Sequence, residues 1–132
     1  MTLLCFFATD LHGSLERYGK LFAAVAAERP AAVFLGGDLL PPPAGQRALP
    51  FGGDDFVNDF LAAGFLRLKE RLGEAAPDVF LILGNDDPRR TEAVLLDAAA
   101  RGAWTYLHER RLEWRGRPLL GYACVPPTPF LL

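Results

Sequence analysis

The sequence predicts an α/β fold, a parallel βαβαβα half-sheet with a short antiparallel extension, and three observations predict it. Three short apolar runs each close on glycine and polar residues. They alternate with longer stretches whose apolar residues recur at helical spacing. Beyond residue 102 the texture changes to brief strand-like runs around an Arg-Gly turn. Strands that alternate with helices pair in parallel through right-handed crossovers. At 132 residues and 51% hydrophobic, the chain has enough apolar surface for one core, so residues 1–132 read as a single domain.

Leu3 to Ala8 is apolar, rich in aromatics and too short for a helix before the Asp10-Leu11-His12-Gly13 break, which predicts a buried strand. Ser14 is placed to cap a helix carrying Glu16 and Arg17 in its first turn. Leu15, Tyr18, Phe22 and Val25 form its apolar face, and Pro30 stops it. Ala31 to Leu35 predicts a second buried strand, closed by Gly36, Gly37 and Asp38. The proline- and glycine-rich stretch 39–54 is a long loop of the kind that forms lids or binding surfaces.

Asp55 to Leu72 carries Phe56, Phe60, Leu61, Phe65, Leu68 and Leu72 at helical intervals and ends before Gly73. The acids at its start suit a helix N-terminus. Asp78 to Leu83 predicts a third buried strand, ending in Gly84, Asn85, Asp86 and Asp87. Thr91 is placed to cap a third helix running to Arg101, stopped by Gly102. Thr105 to Leu107, Arg111 to Trp114 and Pro118 to Cys124 predict short strands, the last two joined by an Arg115-Gly116 hairpin turn. Trp104 and Trp114 are predicted core residues, and His108 a packing or surface residue.

Fourteen basic and sixteen acidic residues leave a net charge of -2, which gives no dedicated nucleic-acid surface and no field for an anionic membrane. The amino-terminal MTLLCFFATD lacks the basic region of a signal peptide and is too short to span a bilayer. Cys5 and Cys124 lie far apart among apolar residues without ligand spacing, which predicts buried, reduced thiols and a cytoplasmic protein.

The three strand ends carry the chemistry. In an open α/β sheet, ligands collect beyond the carboxyl ends of the strands, so Asp10, His12, Asp38 and Asn85 are expected to converge there. Oxygen and imidazole donors together suit Mn²⁺, Fe²⁺ or Zn²⁺. Gly13 removes a side chain from the first turn, and Gly36, Gly37 and Gly84 let backbone approach the ions. A carboxylate such as Asp38 can bridge two cations at the ~3.5–4 Å spacing of two-metal hydrolysis.

D-x-H-G over Asp10 to Gly13, G-G-D over Gly36 to Asp38 and G-N-x-D over Gly84 to Asp87 resemble, in order, the first three blocks of the calcineurin-like metallophosphoesterases. The resemblance covers residues 3 to about 125 and implies a layered α/β sandwich. It implies two divalent metal ions, with Asp10 and His12 on the first, Asp38 bridging both and Asn85 on the second. The implied reaction is hydrolysis of a phosphomonoester or phosphodiester substrate by a metal-bridging hydroxide.

The family's third block usually reads G-N-H, its histidine serving the phosphate or the leaving group. Asp86 holds that position and is the catalytic candidate. The family draws further histidines from a later strand and a G-H-x-H block, whereas this sequence contains only His12 and His108. The expectation is therefore an incomplete domain, truncated at its carboxyl end, holding two metals, one or none. A homodimer would cover its open sheet edge. The alternative to an enzyme is a catalytically inactive relative that binds or scaffolds. A nucleotide-binding module is disfavoured, because neither G-x-x-x-x-G-K-[ST] nor G-x-G-x-x-G occurs.

Overall fold

In the computed structural model, which describes residues 2–42 and 55–124, four short strands pair in parallel in the order of the chain. They are β1 (Cys5–Ala8), β2 (Ala32–Leu35), β3 (Asp78–Leu81) and β4 (Thr105–Tyr106). Helices α1 (Leu15–Glu28), α2 (Ala63–Leu72) and α3 (Glu92–Ala100) lie between them in sequence, and a separate hairpin of β5 (Arg110–Trp114) and β6 (Arg117–Gly121) follows. The fold is α/β. Most of the predicted loop 39–54 and the proline cluster at 126–129 fall outside the described residues.

Sequential strand order means that every crossover steps the same way along the sheet, so crossovers of one hand put all helices on one face. Alternation along the strands shows this directly. Phe6, Ala8, Val33, Leu35, Val79, Leu81 and Tyr106 face the helices, packing with residues such as Tyr18, Val25, Leu61, Phe65 and Leu95. Ala32, Phe34, Phe80 and Ile82 face the hairpin, where Trp114, Leu112 and Leu119 meet them. Phe34 and Phe80 stack at 5.3 Å, and the Trp114 ring stands edge-on to both. Its indole N–H donates to Asp78 Oδ2 at 2.8 Å, tying the hairpin to the start of β3.

Helix α1 begins as the sequence predicts, with Ser14 Oγ accepting from the Arg17 N–H at 3.3 Å. It ends one residue before Arg29, whose left-handed backbone (φ 48°) returns an N–H to Val25 O ahead of the buried Pro30. The hairpin turn also matches expectation: Arg115 and Gly116 both have positive φ, the pair of angles a two-residue type I′ turn requires.

Several expectations need correction. The helix predicted from residue 55 is π-helical over Val57–Ala62, and its α-helical stretch runs over Ala63–Leu72. The wider turn accompanies a stack of Phe56 on Phe60 at 5.2 Å, with both rings against Tyr18. Asp55 does cap it, accepting from the Asn58 N–H at 3.0 Å. Thr91 is not a cap: it lies in a 3₁₀ turn over Arg89–Thr91, and its hydroxyl donates to the Pro88 carbonyl. β4 belongs to the parallel sheet and not to the antiparallel extension, because α3 returns the chain across the same face to pair with β3.

The predicted burial of β1 and of both cysteines is also overturned. β1 is an edge strand, and its Cys5 and Phe7 lie on the same face as the hairpin but beyond its cover, leaving Phe7 72% exposed. Cys124 is exposed beyond β6, where an Arg89 guanidinium N–H meets its sulfur at 2.8 Å. Leu120 and Tyr122 extend this exposed apolar face. Among the described residues no helix is long and apolar enough to cross a membrane.

Candidate metal centre

Ala8, Leu35, Leu81 and Tyr106 stand in one register row at the carboxyl ends of the strands, so the loops leave the sheet at a common level. Pairing continues past that row. Gly36 N–H donates to Ala8 O at 2.8 Å, Asp10 N–H to Gly37 O at 3.1 Å, His12 N–H to Asp38 O at 2.9 Å and Gly13 N–H to Leu39 O at 3.0 Å. The first two loops are thus zipped together by their backbones before any side chain is considered.

This zipper brings Asp10, His12 and Asp38 together: one ligand atom from each lies within 4.8 Å of the other two. His12 Nε2 is 3.6 Å from Asp10 Oδ1, and both side chains remain open to solvent, at 41% and 59% exposure. All three residues have left-handed backbone, with φ of 58° at Asp10, 46° at His12 and 54° at Asp38. Only a few non-glycine residues adopt that region, and such conformations concentrate where a binding geometry must be held. Among the described residues, these three are half of the six non-glycine positions with positive φ.

Close backbone approach is built from glycine. A Cβ on Gly13 would lie 2.5 Å from Pro41, and one on Gly37 would lie 2.7 Å from the Gly84 backbone. At Gly84 a Cβ would overlap Asp38 itself. The loop after β3 therefore passes directly beside Asp38, whose Oδ1 accepts the Asp86 N–H at 2.9 Å.

Burial pushes the Asp38 carboxyl above the usual carboxylate range. The Asp86 N–H pulls it down, and the Asp86 carboxylate, a shared hydrogen bond with Asp10 and the charge of Asp87 push it up further. Two carboxylates and an imidazole crowd here, and a divalent cation matches both their donor chemistry and their charge. The group could hold a metal ion.

Asn85 and Asp86 are exposed in the turn after β3, and Asp86 meets Asp38 through its backbone N–H. His108 stands apart: its Nδ1 accepts the Ala123 N–H at 2.9 Å and its ring lies between Tyr106 and Tyr122, a packing role as expected. Two neighbours of the centre escaped the sequence reading. Arg17 sends a guanidinium N–H to the Asp10 carbonyl at 3.2 Å, a contact its position in the first helical turn could have suggested. Asp87, which the sequence shows only as the last polar residue after the third strand, is buried, and the i+3 spacing from Gly84 was the available signal.

Fold and site together define an α/β protein with an exposed Asp-His-Asp group at the carboxyl rim of its parallel sheet. No protein-family model and no curated protein matches the chain. It is similar to the solved structure of TT1561 of Thermus thermophilus, with a TM-score of 0.61 and 23% identity over 92% of this chain and 49% of that one. A second solved structure is similar with a TM-score of 0.55 and 18% identity, covering 92% of this chain and 53% of that chain. The chain spans about half the length of the solved structures it matches, and identities this low carry the fold alone.

Proposed function

We propose that the rim is the metal-binding half of a divalent-metal-dependent phosphoesterase. The observation that carries this reading is the meeting of Asp10, His12 and Asp38, each held in left-handed backbone, at the point where an α/β sheet places its ligand. The ordered motifs D-x-H-G, G-G-D and G-N-x-D support it.

Asp10 and His12 would hold one cation, Asp38 would bridge to a second, and Asn85 would hold the second. Bound there, the cations would supply an activated water near neutral pH and offset the charge that develops on phosphorus. The protein's own contribution is positioning. The Asp86 N–H fixes one Asp38 oxygen, and the backbone zipper sets Asp10 and His12 against it. The openness of Asp10 and His12 leaves room for a phosphate ester, mono- or diester, to approach. The Asp86 carboxylate would act on a leaving group only with its charge offset or its proton retained.

A second reading is a catalytically inactive relative that binds metal without hydrolysis, favoured by Asp86 standing where the resembled family has histidine. The test is Mn²⁺-dependent hydrolysis of p-nitrophenyl phosphate and its bis ester by the wild type and Asp38→Asn. A rate that needs Mn²⁺ and falls at least tenfold in the variant supports the enzyme. Mn²⁺ binding with equal, background rates for both selects the inactive relative, and absence of Mn²⁺ binding defeats both readings.

A further inference from the structure

Among the described residues Asp87 is the only buried charged side chain, 6% exposed. A buried carboxylate persists only if its oxygens are well supplied with donors, and here the donors are all backbone. Asp87 Oδ1 accepts from the N–H groups of Leu39 and Leu40, each at 3.0 Å, while Oδ2 accepts from Leu39 at 3.1 Å and Gly84 at 2.9 Å. Leu39 and Leu40 directly follow Asp38, and Gly84 opens the turn that carries Asn85 and Asp86. One side chain therefore joins the loop after β2 to the loop after β3.

The join closes a ring. Asp87 holds the Leu39 peptide, Leu39 follows Asp38, and Asp38 accepts the Asp86 N–H one residue before Asp87. The ring extends to the first loop, because the Asp38 carbonyl accepts from His12 and the Leu39 carbonyl accepts from both Gly13 and the buried Tyr18 hydroxyl. We infer that Asp87 is a positioning residue of the metal centre: its carboxylate sets the separation of the two loops that carry Asp38 and Asn85, and with it the affinity for divalent cation. The inference rests on the metal reading above. It requires an anion, because both oxygens face donors. An asparagine would turn its NH₂ toward backbone N–H groups and lose acceptors on one side.

The test is Mn²⁺ titration, read by electron paramagnetic resonance of free Mn²⁺, at a temperature where circular dichroism shows each variant folded. Asp87→Asn is compared with the wild type and with Trp114→Phe, which loses a hydrogen bond at the opposite end of β3 and leaves the rim alone. The dissociation constant of Asp87→Asn is expected to rise about 10- to 100-fold, as for other residues that orient metal ligands, while that of Trp114→Phe stays at the wild-type value. Equal affinity in Asp87→Asn and wild type overturns the inference, as does an equal loss in Trp114→Phe. If Asp87→Asn does not fold, Asp87→Glu carries the test, since it keeps the charge and displaces it by one methylene. A several-fold weaker affinity supports the inference, and wild-type affinity refutes it. A wild type that binds no Mn²⁺ removes the metal reading itself, an outcome distinct from wild-type binding that Asp87→Asn shares.

Discussion

Replacing Gly84 by alanine tests the proposed geometry at its tightest point. The new Cβ would sit 2.7 Å from Asp38 Cγ and nearer still to the Asp38 backbone nitrogen and Oδ1. That is roughly 1 Å short of ordinary van der Waals separation. No rotamer change relieves it, because one of the atoms met is backbone, held by the pairing of Asp38 O with His12 N–H and of Leu39 N–H with Asp87. Overpacking of this kind costs about 1–3 kcal/mol, and the immobility of the neighbours points to the upper end. At roughly 4 °C per kcal/mol for a chain of this size, the melting temperature is expected to fall by about 10 °C, with Mn²⁺ affinity falling too as Asp38 is displaced. Gly19→Ala is the internal control: nothing lies within 4 Å of its Cβ position in α1, so it should stabilise by about 0.5–1 kcal/mol. The assay is thermal denaturation followed by circular dichroism at pH 7. A Gly84→Ala melt within about 2 °C of wild type would refute the close crossing of the two loops, and with it the argument that Asp38 is held by the loop after β3.

Two further substitutions separate stability from metal binding. Asp38 has a folded-state pKa raised above its unfolded value by burial first and by the neighbouring acids after it. Its stabilising contribution is therefore complete below the unfolded pKa and is lost as pH rises through the folded value. In metal-free buffer Asp38→Asn, which keeps an acceptor for the Asp86 N–H, should be more stable than wild type at pH 7 by under about 1 kcal/mol. That advantage should shrink toward pH 3, and stabilisation by Mn²⁺ should disappear; melts across pH in chelator check the first, and melts with added Mn²⁺ the second. Trp114→Phe removes the indole donor from Asp78 and part of the stack on Phe34 and Phe80, and should cost about 1–2 kcal/mol in urea denaturation without changing the Mn²⁺ titration.

How far the chain could be read without coordinates follows from what each residue announces. Apolar runs closed by glycine announce strands wherever they lie, so β1, β2 and β3 were legible together with the rim where Asp10, His12 and Asp38 meet. The same composition does not distinguish a central strand from an edge strand, which is why Cys5 and Phe7 were expected inside and stand exposed. Two residues, Thr105 and Tyr106, are too few to reveal a pairing partner, so the parallel membership of β4 was hidden. Spacing such as that of Phe56, Phe60 and Phe65 fits an α-helix and a π-helical stretch alike. Side-chain identity carried the candidate ligands but not their φ angles, and no periodicity shows that Asp87 turns inward to gather backbone N–H groups from two loops.

The left-handed backbone at positions 10, 12 and 38 bears on how such a site could be lost over time. Asparagine and glycine tolerate those angles as readily as aspartate and histidine. Single exchanges at these places would silence the chemistry while preserving the path of the main chain. Descendants of one ancestor could then share a silhouette and differ in occupation, and their shape would be a poor guide to which of them still work.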